Sequence, residues 1–184
     1  MFGFFELKKN STTDSAVSVN AALVQCRKTV DEYAAEREAG GGTHAIDAAL
    51  ASAVDYVENY TGKAVDAATY TASFEIAESY EIPRPKIADV SRVYYINKDG
   101  AEADIENYKF DAGVRFGRIY LPEIPADIAD ITAPIRVDFS TEKTVEQGLI
   151  AAVLIATDIF YQNSGGGDFG ALDKLLNLYR IAKI

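Results

Sequence analysis

Apolar residues recur at helical spacing near both ends of this chain, while its middle is built from β-branched and aromatic residues, so helices bracket a strand-rich segment. From Val17 to about Ala39, Val19, Leu23, Cys26 and Val30 fall on one stripe and predict a helix, which Gly40, Gly41 and Gly42 end. A second helix starts near Thr43. Its apolar face runs through Ile46, Ala49, Leu50, Ala53, Val54 and Val57 to Thr61 and Gly62, where glycine suits a left-handed cap. The short glycine break predicts an antiparallel hairpin with facing stripes, and Ala45, Ala48, Ala49 and Ala53 permit close approach.

Past Val65 the helical period is lost. Tyr70 to Ile76, Val90 to Ile96, Tyr108 to Phe110, Arg118 to Leu121 and Ile135 to Phe139 read as strands. Asn97 to Gly100 supplies a hairpin turn. Ile135, Val137 and Phe139 alternate with Arg136, Asp138 and Ser140, which predicts one buried and one wet face. All prolines lie between Pro83 and Pro134, punctuating short strands.

The third helix begins where Thr144 and Gln147 form a capping-box pattern, with Val145, Leu149, Ala152, Val153, Ala156 and Phe160 as its inner stripe. Ser164 to Gly167 reads as a flexible linker, not a phosphate loop, since no Gly-Lys-Ser/Thr follows. A last helix runs from about Phe169, with Asp168 as its cap. The expected fold is α+β: mainly a bundle of three to four helices carrying a small antiparallel sheet between the second and third helices. The expected organisation is an N-terminal arm over residues 1–15, a body over 16–163, and a linker with C-terminal helix over 164–184. Phe2, Phe4 and Phe5 in the arm need an apolar partner, either their own domain or a neighbour.

Composition narrows the function. With 184 residues, 48% hydrophobic and 25% charged, the chain can bury a core without metals or disulfides. Its net charge of -10 disfavours phosphate tracking, because nucleic-acid affinity comes largely from Lys and Arg. No run approaches a membrane span, and Met1 to Leu7 lacks the pattern of a signal peptide.

Candidate chemistry is sparse. One histidine, His44, falls at a helix start and reads as a solvated residue; one cysteine, Cys26, reads as buried filler. Neither a zinc site nor a Cys-His dyad can be built from such a set. The carboxylates lack the spacing of a calcium loop, and Asp168-Phe169-Gly170 matches a kinase tripeptide in letters only. Tyrosines and phenylalanines in the strands are explained by packing, with few basic residues between them for base stacking. The expectation is no enzyme, no cofactor and no metal.

The run Tyr56-Val57-Glu58-Asn59-Tyr60-Thr61-Gly62-Lys63 resembles the helix end of the head-tail connector (adaptor) family of tailed bacteriophages, of the HK97 type. The order of later segments agrees: Ile82 to Ile87, Val90 to Gly100, Tyr108, Arg118 to Pro122, Ile135 to Phe139, and Leu175 to Arg180. Tyr161-Gln162-Asn163 runs into glycines where the family often has an Arg-Glu pair, Asn177-Leu178 stands in place of a frequent Ser-Pro, and the N-terminal arm is extra.

The resemblance implies a homo-oligomeric ring, a dodecamer on the portal that is compatible with a monomer in isolation. Its partners would be the portal protein and a stopper or tail-completion protein. DNA would pass through the lumen without specific binding, and no membrane would be involved; the net charge of -10 would suit an acidic wall there, but many proteins are equally acidic. The protein would sit in the virion neck after assembly in the host cytoplasm. The portal contact would be the last helix, through Leu172, Leu175, Leu176, Tyr179 and Arg180, free to leave the body on its linker; the other reading is that this stripe packs on its own bundle. The alternative is a small acidic regulatory or protein-binding module without ring assembly.

Overall fold

The computed structural model describes residues 4–113, 116–163 and 167–180. It divides into two compact units, one of sheet and one of helix. Among the described residues there are five helices and eight strands in two antiparallel sheets. The expectation of a mainly helical bundle with a small sheet is therefore overturned: sheet dominates one unit entirely.

The sheet unit (residues 4–14 and 67–142) holds a five-stranded sheet of order β1-β2-β8-β4-β5 and a three-stranded one of order β3-β7-β6. The large sheet comprises β1 (Phe4–Asp14), β2 (Ala67–Phe74), β4 (Ile87–Ile96), β5 (Glu102–Asp104) and β8 (Ile135–Thr141). The small one comprises β3 (Ser79–Glu81), β6 (Lys109–Asp111) and β7 (Arg118–Tyr120). Strand alternation sends Tyr70, Phe74, Val137 and Phe139 into one core with Tyr80, Ile82, Ile119 and Leu121, so the sheets close on each other. Tyr70 and Phe139 stack there at 5.4 Å. A register shift between Val90 and Arg92 explains why Val90 and Val93, three apart, both face inward.

The sheet outgrew expectation because β1 hides in polar letters. The segment read as an arm pairs along β2 from Phe4 to Asp14, and its ladder is reinforced by Asn10 donating to Thr71 at 2.9 Å and by Ser11 bonding to Thr69 at 2.9 Å. Such a strand has no apolar period to read.

The helical unit spans residues 15–66 and 143–180. It holds α1 (Val19–Gln25), α2 (Val30–Ala39), α3 (Ala45–Thr61), α4 (Gln147–Asn163) and α5 (Gly170–Leu176). Ile46, Ala53, Val54 and Val57 of α3 meet Leu149, Ala152, Val153 and Ala156 of α4, with Leu23 of α1 and Leu172 and Leu176 of α5 completing the core. Of the small residues expected to let the first two helices approach, Ala49 and Ala53 are buried and Ala45 and Ala48 are exposed; Ala53 packs in the core shared with α4.

Several readings of this unit need correction. The single helix from Val17 to Ala39 is broken at Arg27, whose φ of 56° ends α1, and Thr29 starts α2 with a capping box to Glu32. The second half then buries nothing, so α3 packs on α4 rather than in a hairpin with α2. Val145, expected inside, is 73% exposed, because the capping box expected at Thr144 and Gln147 is replaced by Thr144 accepting the Glu146 N–H at 3.1 Å and α4 begins at Gln147.

Polar contacts and the half-buried Tyr33 ring, packed on the core and 4.8 Å from the His44 ring, hold α2. The Tyr33 hydroxyl donates to Asp47 at 2.8 Å, and Glu36 takes Lys28 at 2.8 Å and His44 Nε2 at 2.7 Å. His44 is buried rather than solvated, since its Nδ1 accepts the Ile46 N–H at 3.0 Å; the ring proton therefore sits on Nε2, donated to Glu36.

These contacts make α2 sensitive to acid. Hydrogen bonds from the backbone and then the side chain of Thr29 hold the Glu32 carboxyl below its ordinary value of 4.5, and bonds from Lys28 and then His44 do the same for Glu36. A depressed folded value means the contribution is complete above the unfolded value and is lost as pH falls through the folded one. Amide protection within α2, corrected for the intrinsic pH dependence of exchange, is expected to fall below about pH 4 while α3 and α4 stay protected. Protection factors unchanged down to about pH 2 would contradict this.

Candidate partner-binding site at the C-terminal helix

The run from Tyr56 to Lys63 turns out to be the socket for the last helix. Tyr56 and Tyr60 stand one turn apart on α3, so their rings share a face. Phe169 packs against the Tyr56 ring at 4.7 Å and the Phe160 ring at 5.2 Å. The Tyr56 hydroxyl donates to Asp173, and the Tyr60 hydroxyl donates to Asn177 at 3.0 Å. Burial, then the bond to Asp173, pushes the Tyr56 hydroxyl well above its ordinary range, so it stays a donor.

The rest of the run fastens the helix end. Gly62, at φ 76°, is the left-handed cap expected, its N–H reaching Glu58 O at 2.9 Å. Glu58, only 2% exposed, accepts the N–H of Val65 at 2.8 Å and of Asp66 at 3.3 Å. Thr61 donates to Val57 O at 2.7 Å, and Lys63 reaches both carboxylate oxygens of Glu146 at 3.0 and 2.9 Å. The Lys63 ammonium also lies 5.6 Å from the Tyr179 ring centre.

Phe169 rather than Asp168 takes the cap position of α5 and makes no side-chain cap bond; Asp168, one residue earlier, accepts the Gly170 N–H at 2.8 Å. Ser164, Gly165 and Gly166 of the linker, and Lys183 at the chain end, lie outside the described residues.

The residues assigned to a portal contact divide by burial. Leu172 and Leu176 are in the core, Leu175 and Tyr179 are half-buried against it, and Arg180 is exposed, with its guanidinium 5.7 Å from the Tyr60 ring. Sequence reasoning missed Lys174 and Leu178, which are exposed on the outer side. For Lys174 the available signal was its place opposite Leu172 and Leu176 on a helical wheel; Leu178 lies in the turn after α5.

Tyr179 closes over Gly148, where an added Cβ would collide with its hydroxyl. Gly148→Ala is therefore expected to lower stability by about 1–2 kcal/mol, through overpacking. In a Tyr179→Ala background the same change should be neutral or slightly stabilising, because alanine is the better helix former. Denaturant unfolding of the four proteins checks this; an equal cost in both backgrounds would mean that Tyr179 does not sit there.

The site offers shape, charge and aromatic surface. Among the described residues no group of three or more His, Cys, Asp and Glu is placed to hold a metal, and no helix is long and apolar enough to cross a membrane. Cys26 is buried, and burial followed by the nearby Asp158 pushes its thiol up.

No known family model matches this chain, and no curated protein matches it significantly. Its fold is similar to solved structures from gene transfer agent (GTA) particles. One is a chain from the virion of a native particle, with TM-score 0.71 and 16% identity over 98% of this chain and 97% of that one. A second, from the neck of an empty particle computed with C6 symmetry, has TM-score 0.72 and 16% identity with the same coverage. A third, from the neck of a native particle computed with C12 symmetry, has TM-score 0.65 and 15% identity.

Proposed function

We propose that this protein is a structural component of a phage-like neck, a head-tail connector that forms a ring beneath the portal and joins the filled head to a stopper or tail component. The observation carrying this reading is the match in fold over 98% of the chain to structures of particle necks, over 97% of their own chains. The Tyr56 to Lys63 run supports it from the sequence side, since its residues build one connected socket. The C6 and C12 symmetries of the neighbours' reconstructions favour a ring, dodecameric on a portal.

In this reading the work is geometric, and no catalysis is assigned. A head-to-tail interface that closes by rotation makes a ring from one kind of subunit. Leu172 and Leu176 hold α5 in its socket, so the portal contact falls to the end where Lys63, Tyr179 and Arg180 gather. The net charge of -10 suits a lumen past which DNA slides without sticking. Pelleting portal-bearing particles after mixing with the purified protein is the test. The protein is expected to pellet with them even if it is monomeric alone, since a template aligns weak contacts. Protein left wholly in the supernatant would remove the reading.

A further inference from the structure

The helix α2 is the anomaly of this fold. It has ten residues and none is buried, whereas helices of this length draw their stability from packing an apolar face. Its inner side is accounted for by Tyr33, Glu36 and Arg37, the last lying over the Tyr33 ring. Its outer side carries Val30, Asp31, Ala34, Ala35 and Glu38, all exposed. Asp31 and Glu38 form no ion pair among the described residues.

A second surface of the same unit has the complementary make-up. On α5 and the turn after it, Ala171, Lys174 and Leu178 point away from the buried Leu172 and Leu176; Leu178 is 79% exposed, and Lys174 has no ion pair among the described residues. The two surfaces cannot meet within one copy. α2 attaches at His44 and Asp47, the start of α3, while α5 attaches at Tyr56 and Tyr60, near its end, about 20 Å further along the helix.

We propose that the outer face of α2 in one copy receives the outer face of α5 from the next, with Leu178 seated on Ala34 and Ala35 and Lys174 paired to Asp31 or Glu38. Spacing makes the match robust. The alanine floor has a carboxylate one turn away on either side, and Lys174 lies one turn before Leu178, so the lysine meets an acid whichever way the two helices run. Small floor residues let a leucine in, and the charges fix its register. Because the two faces differ and sit at separate places, the contact is head-to-tail, the kind that generates a ring.

This inference rests on the ring reading, and it names the surfaces that join neighbours. Carbodiimide coupling, which links an amine to a carboxylate only in direct contact, tests it on the full chain, both free at high concentration and pelleted with portal-bearing particles. Mixing isotope-labelled with unlabelled protein identifies links between copies. Lys174 joined to Asp31 or Glu38 across copies is the expected major product, reduced roughly tenfold by Leu178→Asp with helix content unchanged. If neither link forms in either sample, or if other pairs dominate, the proposal is overturned. Protein that pellets without these links would sink the contact and leave the ring. Links without pelleting would do the reverse.

Discussion

Deleting the residues after Asn163 is expected to cost the helical unit its cooperative unfolding rather than to leave an intact body. The deletion removes Leu172 and Leu176 from a core they share with Val57, Leu149 and Val153, and strips Tyr56 and Tyr60 of their partners Asp173 and Asn177. A buried leucine cut to alanine costs about 2–5 kcal/mol, and two together approach the whole stability of an ordinary domain, about 5–15 kcal/mol. The milder Leu172→Ala/Leu176→Ala pair should show the same direction, with a lower melting temperature and binding of a dye that reports exposed apolar surface. A truncated protein melting within about 2 °C of the full chain would mean that α5 is dispensable to the core.

The second large effect belongs to Glu58. Its carboxylate is the acceptor for two backbone N–H groups where the chain leaves α3, and the site is buried. Glu58→Ala leaves both donors without it in a place that water does not easily reach, which is expected to cost about 3 kcal/mol. Glu58→Gln keeps an oxygen acceptor and should cost about half as much. Denaturant melts of the two variants distinguish this from mere loss of charge, for then alanine and glutamine would be equally damaging.

Much of this was legible from the chain alone, and the exceptions share a cause. The stripes of α3 and α4, the turn at Asn97 to Gly100 and the alternating β8 were readable because each satisfies itself over a few residues. Strand β1 was not, because its Ser, Thr and Asn residues are explained only by Thr69 and Thr71 opposite them. The break at Arg27 was readable in principle: Thr29 and Glu32 spell a capping box, but an apolar stripe running through Val30 masked it. Val30 is in fact exposed.

The candidate site was half legible. The Tyr56 to Lys63 run carries a family resemblance, but its role as the socket of α5 depends on pairs 117 residues apart. Likewise, Leu172, Leu175, Leu176 and Tyr179 read equally well as a stripe for a partner or for the body. Burial shows two of them in the body's own core, and it exposes Lys174 and Leu178, which a search for apolar stripes passes over.

The central claim is that this chain builds a ring on a portal. Electron-microscopy class averages of portal-bearing particles mixed with the purified protein test it most directly, viewed down the portal axis with no symmetry imposed. The account predicts an added ring of density, coaxial with the portal and repeating twelve times, as the C12 neck of the similar particle suggests. Particles whose portals stay bare, or that carry scattered density with no rotational repeat, would contradict it.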